Sequence, residues 1–149
     1  ILMLDEMGSK DNARAWLEER LSKKQVVWGM GHREYSTKDP RANILTEMVK
    51  DLFKEQSGKV SDMFEKAMEL EKACEEKLAK KGVYANVDFY SGILYKEIGI
   101  PVDLFTPIFA VSRTSGWLAH WIEQVSNNKI FRPTQIYTGY DNRKYSPKD

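Results

Sequence analysis

Four side chains combine chemical capability with positions at helix junctions: His32, Arg41, Asp88 and Arg113. His32 follows Gly29 and Gly31 in "GMGH", and the missing side chains let a ligand approach the backbone closely. The glycine spacing matches neither a dinucleotide fingerprint nor a phosphate loop, so the glycines alone are a weak signal. The histidine is either part of a catalytic site or a residue of a plain surface loop that caps a helix. Arg41 lies in the first turn of a helix opened by "DPRA", where free N–H groups and a guanidinium can hold a carboxylate together. A solvated surface arginine would look the same. Asp88, in "NVDFYSG", is either a helix N-cap or a carboxylate base. Arg113 interrupts the most apolar stretch of the chain, which is costly unless it is paired or binds an anion.

Other reactive residues read differently. His120, between Trp117 and Trp121, reads as a packed helix histidine with one hydrogen bond. Cys74 falls on the apolar face of a helical pattern and reads as a buried, inert thiol. No Cys/His/Asp/Glu spacing resembles a zinc or calcium site, so no metal is expected.

These residues need a scaffold, and the chain is long enough for one. It has 149 residues, 42% hydrophobic and 30% charged, with a formal net charge of +1. That is the size of one domain with a real core. The near-neutral balance argues against a nucleic-acid footprint, and no apolar run approaches the ~20 residues of a membrane span. A single cysteine excludes an internal disulfide framework and fits a reducing compartment, here expected to be the cytoplasm. The opening "ILMLDEMGSKDN" has no charged leader or cleavage pattern. Ile1, Leu4 and Met7 share one helical face ending at Gly8, so the chain is expected to begin inside a helix and to be part of something longer.

The pattern is helical almost throughout. Asp11 is the expected N-cap of a helix to about Lys24, with Ala13, Trp16, Leu17 and Leu21 inward. Asp39 at the N-cap and Pro40 at the first position start the next, with Leu45, Met48, Val49, Leu52 and Phe53 on one stripe and Gly58 at its end. A third runs from about Lys59 to Lys81, burying Val60, Met63, Phe64, Ala67, Leu70, Cys74 and Leu78, and Gly82 stops it. Asp88 is a candidate cap for a helix closed by Gly99 and Pro101. From Asp103 two helical runs are expected to meet near Arg113. "LFTPIFAVS" is apolar nearly all round and belongs in a core or a subunit interface. The tail is irregular, with at most one short strand. The fold class is all-α.

In order, "GMGHREYSTKDPRA", "NVDFYSGILYKEIGIP", "IFAVSRTSGWLAHWIEQ" and "NNKIFRPTQIY" resemble the C-terminal part of citrate synthase, from about Val26 to Tyr145. The stretch "MGSKDNARAWLEERLSKK" is similar to the segment that follows the family's first catalytic histidine motif. The resemblance implies an end-of-helix and amphipathic helix over residues 1–25, a helical small domain over 26–102, and C-terminal helices over 103–149 that pack on a large domain.

It also implies chemistry. His32 matches the histidine that hydrogen-bonds the carbonyl of oxaloacetate, and Asp88 matches the base that deprotonates acetyl-CoA. Arg41 and Arg113 match arginines that bind substrate carboxylates. Arg132, in "FRP", matches one supplied by the neighbouring subunit of a homodimer. The Val27, Trp28, Gly29, Met30 and Gly31 backbone is expected against the CoA adenine, and Arg143 and Lys144 near CoA phosphates. Acetyl-CoA is a co-substrate, and no permanently bound cofactor is implied. Members often read "GHRVYK" where this chain has Glu34 and Ser36, so Lys38 or Arg33 would replace a basic phosphate contact. The family's "LHGG"-like histidine has no match, so these residues alone are expected to be inactive. The implied activity is citrate synthesis in the tricarboxylic acid cycle. The alternatives are a 2-methylcitrate synthase using propionyl-CoA and a non-catalytic helical assembly module built on the Leu104–Val111 face.

Overall fold

The computed structural model describes residues 1–56, 60–130, 134 and 136–144. Its described residues form six α-helices: α1 Leu2–Met7, α2 Ala13–Ser22, α3 Pro40–Gln56, α4 Asp62–Leu78, α5 Val87–Glu97 and α6 Phe105–Ser126. Among them there is no strand, only an isolated antiparallel bridge between Met30 and Ala85. The fold is all-α, as the periodicity requires. Two compact units are present, Ile1–Phe109 and Ala110–Asp149.

Within the first unit α4 is the central helix. Its 3.6-residue stripe buries Met63, Phe64, Ala67, Leu70, Cys74 and Leu78 against α1, α2 and α5. Phe64 and Leu70 are 1% and 0% exposed, and burying each such side chain contributes about 1.5–3 kcal/mol. Helix α3 packs on α5 and buries Ala42, Val49 and Phe53, the last with its ring centroid 5.8 Å from that of Phe64 in α4. Lys10–Glu65, Arg14–Glu76 and Lys77–Glu18 ion pairs run along the outside of the first turns, α2 and α4. They are solvated, and packing carries the helix pair.

Several local expectations change. Asp11 is not the cap of α2: Ser9 caps a 3₁₀ turn over Lys10–Asn12, its hydroxyl accepting the Asp11 N–H, and that turn leads into α2, whose N-cap is Asn12. Ser61 caps α4 by accepting the Phe64 N–H, so the helix starts later than Lys59 and leaves Val60 43% exposed. Met48, expected on the inner stripe, is half exposed at its edge. Asn86, not Asp88, caps α5. The two runs expected to meet near Arg113 are one continuous α6, preceded by a 3₁₀ turn over Val102–Leu104. Pro107 falls in its first turn, where no intrahelical N–H is lost. None of its residues is buried within this chain, and His120 is exposed rather than packed. The expected helix end at Gly58 lies outside the described residues.

Candidate active site

The loop between α2 and α3 is bound to the connection before α5, across 55 residues of sequence. Gly31 donates its N–H to Tyr84 O at 2.7 Å, and Asn86 donates its N–H to Gly29 O at 2.9 Å. The Asn86 side chain adds Nδ2–H to Gly31 O at 2.9 Å. Gly29 cannot be replaced in this arrangement. Its φ is +83°, and a Cβ there would lie 2.8 Å from the Phe89 ring. The glycine that sequence alone treats as a weak signal is therefore a contact point between the His32 loop and α5.

Asp39 ties the two helix starts together. Its carboxylate is 1% exposed as a residue and accepts the Arg41 N–H at 2.9 Å, which is the expected N-cap bond. It also takes the Arg41 guanidinium, Nε at 3.0 Å and Nη2 at 2.8 Å, and the backbone N–H of Val87 at the head of α5. The Arg41 hydrogen bonds hold the Asp39 carboxyl below its ordinary value, against the opposing effect of burial. Asp39 in turn raises Arg41, and Asp88 and Tyr35 act on the same guanidinium in the same direction. Arg41 therefore already carries one carboxylate, the chain's own. The Nη1 end of its fork remains for a second.

His32 is exposed, and its ring is oriented from behind. Nδ1 accepts the backbone N–H of Glu34 at 3.0 Å and of Tyr35 at 3.2 Å. The Tyr35 ring lies against it with centroids 4.7 Å apart. Two N–H donors on Nδ1 require that nitrogen to be unprotonated, which places the proton of the neutral ring on Nε2. The outward-facing atom is thus a hydrogen-bond donor.

Asp88 occupies the second position of α5. Asn86 Oδ1 accepts its N–H at 2.9 Å, so the capping that could have explained Asp88 is done by another residue. The carboxylate is exposed and lines two adjoining clefts. One, about 430 Å³, has Trp28, Gly29, Phe89, Leu2 and Arg20 in its walls. The other, about 390 Å³, has Ser91, Tyr95, Thr106 and Phe109. Gly92 and Phe105 border both. A carboxylate at the head of a helix, with an arginine nearby and apolar walls around it, can take a proton from a carbon acid held in the clefts.

The structure thus brings His32, Arg41, Asp88 and the Val27–Gly31 backbone into the first unit, stitched together by Asp39 and Asn86. Sequence reasoning passed over Asn86, although asparagine two residues before Asp88 is as good a cap as aspartate. Lys38 does not stand free for a phosphate: its Nζ pairs with Glu71 at 2.6 Å, and Glu71 also accepts the Tyr90 hydroxyl at 2.5 Å. Arg33 is exposed. Arg113, Arg143 and Lys144 belong to the second unit; Arg113 is an exposed residue of α6, and Arg143 lies 5.6 Å from the Tyr140 ring centroid. Arg132 lies outside the described residues. Among the described residues no cluster of His, Cys, Asp and Glu has a metal-binding arrangement, and no helix is long and apolar enough to cross a membrane.

Residues 1–134 match the family model for the citrate synthase C-terminal domain. The chain is 51% identical to a citrate synthase of Acidithiobacillus ferridurans over 97% of its own length and 38% of that protein's. It is 52% identical to one of Synechocystis over 97% of this chain and 36% of that one. Among solved structures it is similar to citrate synthase of Thermotoga maritima, with 40% identity and TM-score 0.76, covering 97% of this chain and 39% of that one. It is similar also to that of Thermoplasma acidophilum, solved as a ternary complex with carboxymethyl coenzyme A and oxaloacetate, with 35% identity and TM-score 0.79, covering 98% of this chain and 39% of that one. The chain spans little more than a third of the length of these relatives. On the extent of the family match and these identities, the chain belongs to the citrate synthase family.

Proposed function

We propose that this chain supplies the His32 and Asp88 half of a citrate synthase active site, condensing acetyl-CoA with oxaloacetate to give citrate and free CoA. Asp88 removes a proton from the acetyl methyl group. The resulting carbanion attacks the ketone carbon of oxaloacetate while Nε2–H of His32 polarises, and finally protonates, the ketone oxygen. Water then cleaves the thioester. Donors fixed in advance where charge develops need no reorganisation during the reaction.

One observation carries this reading. Asn86 caps α5, which leaves the Asp88 carboxylate free of that role, and the same side chain straps the His32 loop to the head of α5 through Gly31 O. The free Nη1 end of Arg41 is assigned to one oxaloacetate carboxylate, and Arg113 to the other. Arg132 is assigned to the site of a neighbouring subunit. The Val27–Gly31 backbone is assigned to the CoA adenine, with Arg33, Arg143 and Lys144 for its phosphates. The exposed apolar residues of α6, Val111, Trp117, Trp121 and Ile122, support assembly into a homodimer and packing on a large domain. The proposed setting is the cytoplasmic tricarboxylic acid cycle. Residues 26–102 are proposed as the small domain, with 1–25 leading in and 103–149 returning to the large one.

The test is a full-length enzyme carrying these residues as its C-terminal part, supplied with acetyl-CoA and oxaloacetate. Citrate and free CoA should appear in equal amounts, and the 149 residues alone should release neither. A purified, folded full-length enzyme that forms no citrate would overturn the reading.

A further inference from the structure

Gly92 lies in the interior of α5, where glycine weakens a helix relative to alanine. Packing does not demand it. A Cβ at this position would meet the Phe105 ring at 3.5 Å and the Ile1 side chain at 3.9 Å, both ordinary contacts. The contrast with Gly29, where a Cβ would collide with Phe89, is direct. What the absent methyl leaves is space in the two clefts, since Gly92 borders both, together with Asp88 and Phe105. Residue 92 is one turn after Asp88 and shares its face. A helical Cβ leans toward the N-terminus, so a methyl here would lie over the turn that carries the carboxylate.

We infer that Gly92 sets the length of the acyl chain on which Asp88 acts, leaving room for one carbon beyond acetyl. This rests on the proposed condensation, with short-chain acyl thioesters as the substrate class. The α-carbon is held at Asp88, and the next carbon lies over the bare turn at Gly92. Phe105, which packs edge-on against Tyr95 with centroids 5.3 Å apart, forms the opposing wall. Bond making and breaking are unchanged from the acetyl reaction. Only the substituent on the nucleophilic carbon differs.

The experiment compares acetyl-CoA and propionyl-CoA, with saturating oxaloacetate, in the full-length enzyme carrying these residues. The unsubstituted enzyme should turn over both. Gly92→Ala should lower the propionyl-to-acetyl ratio of kcat/KM by at least about tenfold, the lower end of what one methylene in a pocket discriminates. The melting temperature of the full-length Gly92→Ala enzyme should not fall. Phe105→Leu, which thins the opposing wall, should shift the ratio the other way. An enzyme active on acetyl-CoA but not on propionyl-CoA would overturn the inference and leave the proposed function intact. So would a ratio unmoved by Gly92→Ala, or equal losses on both substrates. An unsubstituted enzyme inactive on both would overturn the proposed function and this inference with it.

Discussion

Asn86 Oδ1 accepts the backbone N–H of Asp88 at 2.9 Å while the same side chain donates Nδ2–H to Gly31 O at 2.9 Å. One amide therefore caps the helix that carries Asp88 and anchors the loop that carries His32. Helix start and loop position are coupled through it. Asn86→Ala should destabilise the chain by about 0.5–2 kcal/mol from the lost cap. Asn86→Asp, which keeps the acceptor but not the donor, should recover most of that stability. Chemical denaturation of the three chains measures both, and equal losses in the two variants would show that the strap to Gly31, not the cap, dominates.

His32 should hold its neutral proton on Nε2, because Nδ1 accepts from Glu34 and Tyr35. Long-range proton–nitrogen NMR of the imidazoles tests this, with His120 as the only other histidine in the chain. The expected spectrum has Nδ1 of His32 in the unprotonated range and Nε2 in the protonated range. The reverse assignment would remove the proposed donor.

Asp39 gives a pH dependence with a definite sign. Its native carboxyl lies below the ordinary value of 3.8, so the unfolded chain takes the proton first as pH falls. The stabilisation is fully present above pH 3.8 and is lost as pH drops below that toward the depressed native value. Wild type and Asp39→Asn should differ most in stability at neutral pH and converge in acid. Arg41→Met should reduce stability as well, because it leaves the buried Asp39 carboxylate without its guanidinium. An acid-independent gap between wild type and Asp39→Asn would count against this pairing.

Cys74 is 0% exposed, and burial, reinforced by Glu71 and Glu75, pushes its thiol up to about 12. The thiolate is the reactive form, so a disulfide reagent at pH 8 should modify Cys74 only as fast as the protein opens. Rapid stoichiometric modification of the native chain would contradict that burial.

What was legible in the sequence follows from which interactions are local. The α4 stripe from Met63 to Leu78 is written in the 3.6 period, and Asp39–Pro40 states the start of α3 outright. The Met30–Ala85 bridge has no periodic signal, being a pairing of two irregular segments 55 residues apart. Asp88 was ambiguous because aspartate caps and aspartate bases look alike in sequence; only the Asn86 hydrogen bond separates them. Lys38 reads as available for a phosphate because its partner Glu71 lies far along the chain, on α4. Continuity of α6 was hidden by Ser112, Thr114, Ser115 and Gly116, weak helix formers that the long apolar pattern overrides.

The central claim is that Asp88, relieved of capping, is the base. Its most direct test is Asp88→Ala in the full-length enzyme carrying these residues, with turnover and oxaloacetate binding measured on the same preparation. Turnover should fall by at least about 10²-fold, the usual cost of losing a general base, with oxaloacetate affinity near normal. A fall of less than about threefold, in an enzyme that still binds oxaloacetate, would contradict the account.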